Sequence, residues 1–374
     1  MKTEIIRIEN KGEDFLIELS ESPFRKAAGG QPCDTGFVSS PAFKAGVVDA
    51  LDENRILVRM VSGTLKEGEC IAEIDAERRN LLTRMHTAEH ILFRSLQSFE
   101  PSIKLEKINL TETASSIFFF ADKINWDTIF NGEELANKII SEGRLLKEKL
   151  VKKEEAGSIE MLRIKTERIK SEDVRIIEIE GFDKSACAGT HCHSTSEVGS
   201  VLVTALLGAK PPYEIKFMVD TREKLYSYAK AARILSFNLG TETEKLVSTV
   251  SNLKQDLEKY KALVRNAPLE VKEINKGSSI LQVISVEGYD SKDLIVKAGK
   301  LVKNNALLIA INSMPKGSQV SIFAVKDSNK DASEIFRQLS LRFNSKGNGK
   351  KEFASGILEA NSHEIIHTIS SLLQ

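Results

Sequence analysis

Apolar positions change their period from segment to segment along this chain, and each change marks a change of element. Ile5, Ile6, Phe15, Leu16 and Ile17 lie in short runs on either side of Asn10-Lys11-Gly12, the composition of a β-hairpin and its turn. Strand-like runs follow at Ala45 to Ala50, Arg55 to Val61 and Cys70 to Ile74, so residues 1–75 predict a small β-barrel or sandwich. Over residues 80–97 the spacing turns helical. Leu81, Leu82, Met85, Ala88, Leu92, Phe93 and Leu96 form one apolar arc, with His86 and His90 at its edge. A short buried strand is expected at Ile117 to Phe120, a charged amphipathic helix at Glu133 to Lys153, and strands at Val174 to Ile179, Val198 to Leu207 and Tyr213 to Val219. This alternation predicts an α+β core over residues 76–219.

Beyond Asp220 the pattern becomes helical again. Asp220 and Glu223 open a helix to about Asn238, which Gly240 ends. Thr241 and Glu244 form a capping-box pattern, and Leu246, Val250, Leu253, Leu257, Tyr260 and Val264 follow in steps of four and three. Residues 220–270 therefore predict a helical hairpin or brief coiled coil, and packing within the hairpin is preferred over a dimer seam. Residues 271–374 read as an α/β layer. Its strands are Ile280 to Val286, Leu307 to Ile311 and Val320 to Val325, and its helices Lys292 to Lys303 and Ala332 to Phe343. The expected fold class is α+β multidomain: an N-terminal small β-barrel, an α+β core, a helical hairpin or coiled-coil linker, and a C-terminal α/β domain.

Composition narrows the function classes. At 374 residues the chain is long enough for several separate cores. No apolar run reaches membrane-spanning length, and Met1 to Arg7 lacks the apolar centre of a signal peptide. Cys33, Cys70, Cys187 and Cys192 are too few and too scattered for a disulfide framework, which predicts a reducing, cytoplasmic setting. Without export, the sequon at Asn109-Leu110-Thr111 is idle. Net charge is zero, so no global field advertises nucleic acid, but residues 271–374 carry an excess of about four positive charges.

The chemistry-bearing side chains are concentrated. Two segments, Arg84-Met85-His86-Thr87-Ala88-Glu89-His90 and Cys187-Ala188-Gly189-Thr190-His191-Cys192-His193, hold four of the six histidines and two of the four cysteines. Histidines four apart share one helix face, and paired ligands from two separate segments are zinc's habit. By chemistry alone Cys187, His191, Cys192 and His193 are all able partners for His86 and His90, and the metal role stays open between structural and catalytic. His363-Glu364-Ile365-Ile366-His367 formally matches a zinc-protease helix. We reject it, because Ile365, Ile366, Ile369, Leu372 and Leu373 define an apolar arc facing away from both histidines, and no third ligand follows. Two further stretches read as plain connectors on residue types alone: Ala27 to Gly36, and Asn344 to Lys351. The second mixes glycine with lysine, as a phosphate-binding loop does.

Taken together, three of these motifs resemble those of the alanyl-tRNA editing family, which includes the editing domain of alanyl-tRNA synthetases and the freestanding AlaX-type proteins. His86-Thr87-Ala88-Glu89-His90 resembles that family's H-T-A-x-H, Cys187-Ala188-Gly189-Thr190-His191 its C-x-G-T-H, and Gly29-Gly30-Gln31-Pro32-Cys33-Asp34-Thr35-Gly36 its G-G-Q-x-x-D-T-G, in the same order. The resemblance extends over essentially the whole chain and is nearest the long AlaX form. Its C-terminal unit is similar to a DHHA1-type domain, with the glycine-rich loop at Lys346 to Gly356. Phe24-Arg25-Lys26-Ala27-Ala28 departs from the Phe-Tyr-Pro-rich approach to the glycines, and Gly347-Asn348-Gly349 replaces a longer glycine run.

The resemblance implies one zinc ion held by His86, His90, Cys187 and His191, leaving Cys192 and His193 unliganded, with Gln31 as the catalytic-side residue and Gly29 and Gly30 at the substrate. Thr111 and Thr113 are candidates for meeting a substrate hydroxyl. The implied activity is trans-editing: zinc-dependent hydrolysis of the ester in mischarged tRNA(Ala), chiefly Ser-tRNA(Ala) and secondarily Gly-tRNA(Ala). An alanine pocket rejects neither glycine nor serine well by binding energy alone. Since the β domain begins almost at Met1, an aminoacylation module is not expected. Lys346, Gly347, Gly349, Lys350 and Lys351 would meet tRNA phosphates. A homodimer through residues 241–265 or through the C-terminal domain is a further expectation. The rival readings are a non-enzymatic zinc-containing tRNA-binding module and an editor of another misacylated tRNA.

Overall fold

The computed structural model describes residues 1–160, 162–164, 171–276, 279–303, 306–325 and 330–373. It divides into two compact units, Met1–Lys230 and Ala231–Gln374.

In the first unit β1 (Lys2–Lys11), β2 (Asp14–Leu19), β3 (Gly36–Ser40), β4 (Phe43–Ala50), β5 (Arg55–Gly63) and β6 (Gly68–Ile74) close into a barrel in the order β1-β2-β5-β4-β3-β6. Closure leaves no sheet edge unpaired. Ile5, Ile17, Val38, Ala45, Ile56 and Val58 fill the interior at alternate positions of their strands.

Helix α1 (Ala76–Phe99) starts where Asp75 accepts the Arg78 N–H at 2.9 Å. From Leu82 to Leu96 nearly every residue is buried, including His86, Thr87, Glu89, His90 and Ser95. A helix enclosed on all sides must find partners for its polar residues inside the protein. It packs between β7 (Lys104–Asn109) and β8 (Ser115–Phe120) on one side and α2 (Trp126–Glu142) on another.

Here the structure corrects the helix expected at Glu133 to Lys153. Asn125 caps α2 eight residues earlier than Glu133, and Gly143 ends it in the left-handed conformation. Residues Leu146–Lys152 form strand β9 instead. They read as helix-forming, yet they pair antiparallel with a later strand over seven registered positions, from Leu146↔Ile179 to Val151↔Val174 and Lys152↔Asp173. Tertiary pairing overrides local propensity there.

A four-residue helix α3 (Lys153–Ala156) leads to β10 (Leu162–Arg163), β11 (Asp173–Ile179) and β12 (Asp183–Ala186), giving a sheet ordered β10-β12-β11-β9. A second sheet is ordered β13-β14-β8-β7, with β13 (Leu202–Leu207) and β14 (Tyr213–Met218).

Helix α4 (Arg222–Leu239) crosses the boundary between the units, and α5 (Leu246–Asn266) follows a short 3-10 turn. Neither helix buries a residue, and Val250, Leu253, Leu257, Tyr260 and Val264 are all exposed, so the hairpin does not pack its stripe internally as expected. Thr241 does not cap either: its hydroxyl faces that of Thr249 at 3.3 Å.

The second unit continues with β15 (Lys272–Lys276), β16 (Ser279–Glu287), α6 (Ser291–Gly299), β17 (Ala306–Met314), β18 (Gly317–Ala324), α7 (Ala332–Arg342), β19 (Ser345–Lys350), β20 (Phe353–Leu358) and α8 (Ser362–Leu372). Its six-stranded sheet runs β15-β16-β17-β18-β20-β19, with β16 and β17 parallel. The stretch expected to be a glycine-lysine loop is strand β19, paired to β20 from Ser345↔Leu358 to Lys350↔Phe353. Its glycines have a packing cause. A Cβ on Gly347 would lie 2.5 Å from Gly356 Cα and 2.7 Å from the Phe336 ring, so α7 can press on these strands only where side chains are missing.

Candidate metal centre and the cleft beside it

The middle of α1 brings His86 and His90 to one face, and the turn after β12 brings Cys187 and His191 opposite them. One donor atom from each of these four residues lies within 4.8 Å of all the others, the one such group among the described residues. Nε2 of His86 is 3.2 Å from Cys187 Sγ, and Nε2 of His191 is 3.3 Å from the same sulfur. The imidazole centroids stand 4.5 to 5.4 Å apart.

The cysteine turn is pinned from behind. Arg175 donates to the carbonyls of Cys187 and Gly189 at 3.0 and 2.7 Å. Gly189 passes so close to His86 that a Cβ would sit 2.1 Å from the ring. Only glycine lets the backbone approach that closely.

The barrel supplies the third wall. Ala28 and Gln31 exchange backbone hydrogen bonds at 3.0 and 2.9 Å around Gly29 and Gly30, whose φ of 61° and 81° require a tight two-residue turn. Asp34 holds the base of this loop by accepting the Arg25 N–H and pairing with Arg79. The turn delivers Gln31, which is buried, to the back of His86. Its Oε1 accepts the Thr190 N–H at 3.0 Å and lies 3.1 Å from His86 Nδ1, while its Nε2 donates to the Thr190 hydroxyl at 2.9 Å. A backbone N–H can only donate, so the amide oxygen faces His86. That fixes the imidazole proton on Nδ1 and leaves Nε2 free as a ligand. Thr87 serves His191 in the same way, with its hydroxyl 3.4 Å from Nδ1.

Burial governs the electrostatics. It lowers the His86 pKa to about 3, with the charges of Arg163 and Arg175 adding to the effect. It drives His90 and His191 well below the ordinary histidine value, again with help from neighbouring cations. Burial also pushes the Cys187 thiol up to about 11. Three neutral imidazoles around a thiol, two of the rings buried, offer three nitrogens and one sulfur, a donor set of the kind zinc takes. The surrounding charges fit a divalent cation. Arg163 is enclosed with Glu89 and Asp183, and a dication with a Cys187 thiolate would bring this buried group close to neutrality. The residues present therefore fit zinc.

Beside the cluster lies a cleft of about 380 Å³ lined by Arg25, Lys26, Gln31, Ala188, Gly189 and Thr190, among others. Gln31 and Thr190 thus form the partition between cleft and donor cluster.

The remaining sequence-predicted residues fall elsewhere. Gly30 accepts the Leu110 N–H, which puts Thr111 near the glycine turn, but the Thr111 hydroxyl is engaged locally with Ala114. Thr113 is exposed. Cys192 is buried in the core, where its N–H donates to Thr87 Oγ1. His363 and His367 are not buried, and Glu364 forms the capping box of α8 with Asn361. Lys346, Gly347, Gly349, Lys350 and Lys351 are exposed in the second unit. Sequence reasoning missed Glu89, Arg163 and Asp183, the buried ionic group beside His90. It also missed Thr83, whose hydroxyl lies 2.6 Å from that of Thr190.

Residues 174–220 match the family model described as the threonyl and alanyl tRNA synthetase second additional domain. The alanine–tRNA ligase of Ignicoccus hospitalis is 27% identical over 384 residues, covering 100% of this chain and 42% of the relative. That of Rubrobacter xylanophilus is 28% identical over 311 residues, covering 77% of this chain and 34% of the relative. The chain thus spans about two fifths or less of the length of these curated relatives. Among solved structures, the C-Ala domain of Aquifex aeolicus alanyl-tRNA synthetase aligns with 27% of this chain and 97% of its own, at 19% identity and a TM-score of 0.26, too low to carry an argument. Residues 174–220 thus share a domain with the threonyl and alanyl tRNA synthetases. Beyond it, the chain is similar to the part of alanine–tRNA ligases that these alignments cover.

Proposed function

We propose that this chain hydrolyses the ester joining a wrong amino acid to tRNA(Ala), with Ser-tRNA(Ala) as the main substrate and Gly-tRNA(Ala) as the second. The carrying observation is the convergence of buried His86 and His90 with half-buried Cys187 and His191 next to a cleft. These four residues would hold zinc, which supplies Lewis acidity toward the ester when bound. Hydrolysis breaks the acyl–oxygen bond, adds the elements of water, and releases the amino acid and a terminal ribose hydroxyl.

The chain's own residues set the stage for that reaction. Gln31 fixes the tautomer of His86 and, with Thr190, walls the cleft. Gly29 and Gly30 let backbone stand at the substrate. Arg25 and Lys26 line the cleft where the negatively charged 3′ end of an RNA would enter. Thr113, exposed, is left as the candidate to meet a serine hydroxyl, since the Thr111 hydroxyl is engaged with Ala114. In the second unit Lys346 and Lys350 on β19, with Lys351 just after it, are exposed alongside Gly347 and Gly349 and would meet tRNA phosphates. The four segments 1–75, 76–219, 220–270 and 271–374 then read as barrel, editing core, linker and tRNA-binding domain. The exposed apolar stripe of α5 suits a homodimer seam, and a cytoplasmic location follows from the substrate. No helix among the described residues is long and apolar enough to cross a membrane.

Purified chain loaded with zinc is expected to release serine from Ser-tRNA(Ala) and to spare Ala-tRNA(Ala). Intact Ser-tRNA(Ala) after prolonged incubation would overturn the reading. One observation favours a second reading, a structural zinc in a tRNA-binding module: four protein donors are the count of a closed structural site. Tight tRNA binding without hydrolysis of any acyl-tRNA would favour it.

A further inference from the structure

The imidazoles of the metal centre follow a rule. Each ring that turns Nε2 toward Cys187 has a polar partner behind it at Nδ1: Gln31 for His86 at 3.1 Å, and Thr87 for His191 at 3.4 Å. His90 has no hydrogen-bond partner at Nδ1, yet Asp183 Oδ2 stands 3.5 Å from that atom and is buried. Asp183 is itself held by Arg163, whose NH2 donates to the same oxygen at 3.1 Å. Arg163 NH1 lies 3.5 Å from Glu89 Oε1, and the guanidinium sits 4.7 Å over the Phe93 ring. Both Glu89 oxygens and two of the Arg163 nitrogens lack hydrogen bonds. Three charges buried this deeply are costly unless they serve one another or a further charge.

We propose that Asp183 is the positioning residue for His90. Its carboxylate accepts the Nδ1 proton and presents Nε2 to the metal, while Arg163 fixes the carboxylate. The inference rests on the metal reading given above and adds to it the residue that aims the third imidazole. The backbone supports this. Arg163 on β10 pairs in parallel with Ser185 on β12, the strand that begins at Asp183, so the guanidinium and the carboxylate are set by one sheet. Glu89, 3.7 Å from Nε2 of His90, balances Arg163 and does not aim the ring. A carboxylate behind a metal-bound imidazole sets its tautomer and raises its basicity, and its removal commonly weakens metal binding about 10- to 100-fold.

The test uses the full chain as wild type, Asp183→Asn, Asp183→Glu, Glu89→Gln and Arg163→Met, each stripped of metal and titrated with zinc against a chromophoric chelator. Cobalt(II) absorption is recorded at saturating metal. Asp183→Asn is expected to bind zinc about 10- to 100-fold more weakly and to alter the cobalt spectrum. Asp183→Glu should recover part of both, and Arg163→Met should fall between. A role confined to holding the fold would lower the melting temperature but leave the cobalt spectrum of the folded variants unchanged, and that result overturns the proposal. So does wild-type affinity in both Asp183→Asn and Arg163→Met, or a greater weakening in Glu89→Gln than in Asp183→Asn. Wild type that takes up no divalent metal overturns this inference together with the metal reading. Wild type that binds zinc but deacylates nothing, with affinity weakened in Asp183→Asn, overturns the deacylase reading and supports this one.

Discussion

Gln31 and His86 meet across 55 residues of sequence, with Oε1 of the amide 3.1 Å from Nδ1 of the imidazole. The pairing joins the barrel to the central helix and decides which nitrogen of His86 is available as a ligand. The side chain expected on the substrate side is engaged on its far edge with a prospective ligand and with Thr190.

Replacing Gln31 should therefore act through the metal centre. Gln31→Ala leaves His86 Nδ1 and the Thr190 N–H without their acceptor, at a cost of about 1–3 kcal/mol in stability. It should also weaken zinc binding by about tenfold or more. Thermal unfolding with and without metal, beside a zinc titration, checks both. If deacylation falls while zinc affinity and stability stay at the wild-type level, Gln31 acts on the substrate instead.

The two histidine pairs of the chain offer an internal control. His90→Ala removes a buried donor from the cluster, and should abolish both stoichiometric zinc and serine release. His367→Ala changes a solvent-accessible position on α8 and should leave zinc content and activity unaltered. Metal analysis by mass spectrometry and a deacylation assay decide between them. The reverse pattern would move the metal site to the second unit.

The contrast between these pairs shows how far the sequence reaches. His86 and His90 could be placed on a buried face because helix period and apolar arc are local properties. Cys187 and His191 could be joined to them through ligand chemistry and motif. Helix period does put Glu89 inside the apolar arc of Leu82, Met85, Phe93 and Leu96, a signal of burial that was passed over, but nothing local distinguishes Asp183 from any turn aspartate or names Arg163 as the partner of both. Asp183 and Arg163 come together through β10 and β12, a parallel pairing that no sequence period announces. The same cause hid β9 and β19, where neither alternation nor propensity marks a strand and the partner strand supplies the order. The barrel was legible as such, but its strand order, closed through the β3–β6 and β1–β6 pairings, was not.

Acid should destabilise the metal-free protein. His86 has its pKa lowered from 6.5 to about 3 by burial, and His90 and His191 are lowered in the same direction. Below about pH 6.5 the unfolded chain takes up protons on these rings that the folded chain refuses. The stability they contribute is whole above that value and is lost as pH falls toward the folded values. Glu89 has the opposite sign. Burial raises its pKa from 4.5 to about 7, so between those values the folded chain binds the extra proton. Three histidines against one glutamate leave a net decrease on acidification, at most about 1.4 kcal/mol per pH unit for each uncompensated proton. Unfolding of apoprotein followed from about pH 7 to about pH 5 should show stability dropping steadily. A flat profile would mean that the imidazoles are not enclosed.

The second unit should contribute affinity without chemistry. Lys346, Lys350 and Lys351 are exposed on and just after an edge strand, where long cations reach a phosphate backbone without rearranging the sheet. Changing all three to alanine leaves the glycine packing under Phe336 intact, so the fold should persist. Each lysine–phosphate pairing removed should lower the slope of log K against log salt by about 1, up to about 3 for the triple variant. Zinc content should not change, and serine release at saturating tRNA should stay near the wild-type rate while KM rises. Filter binding across a salt series, with steady-state deacylation on the same preparations, measures all of this. An unchanged salt slope would remove these lysines from the tRNA interface and leave Arg25 and Lys26, beside the cleft, as the cations to change next.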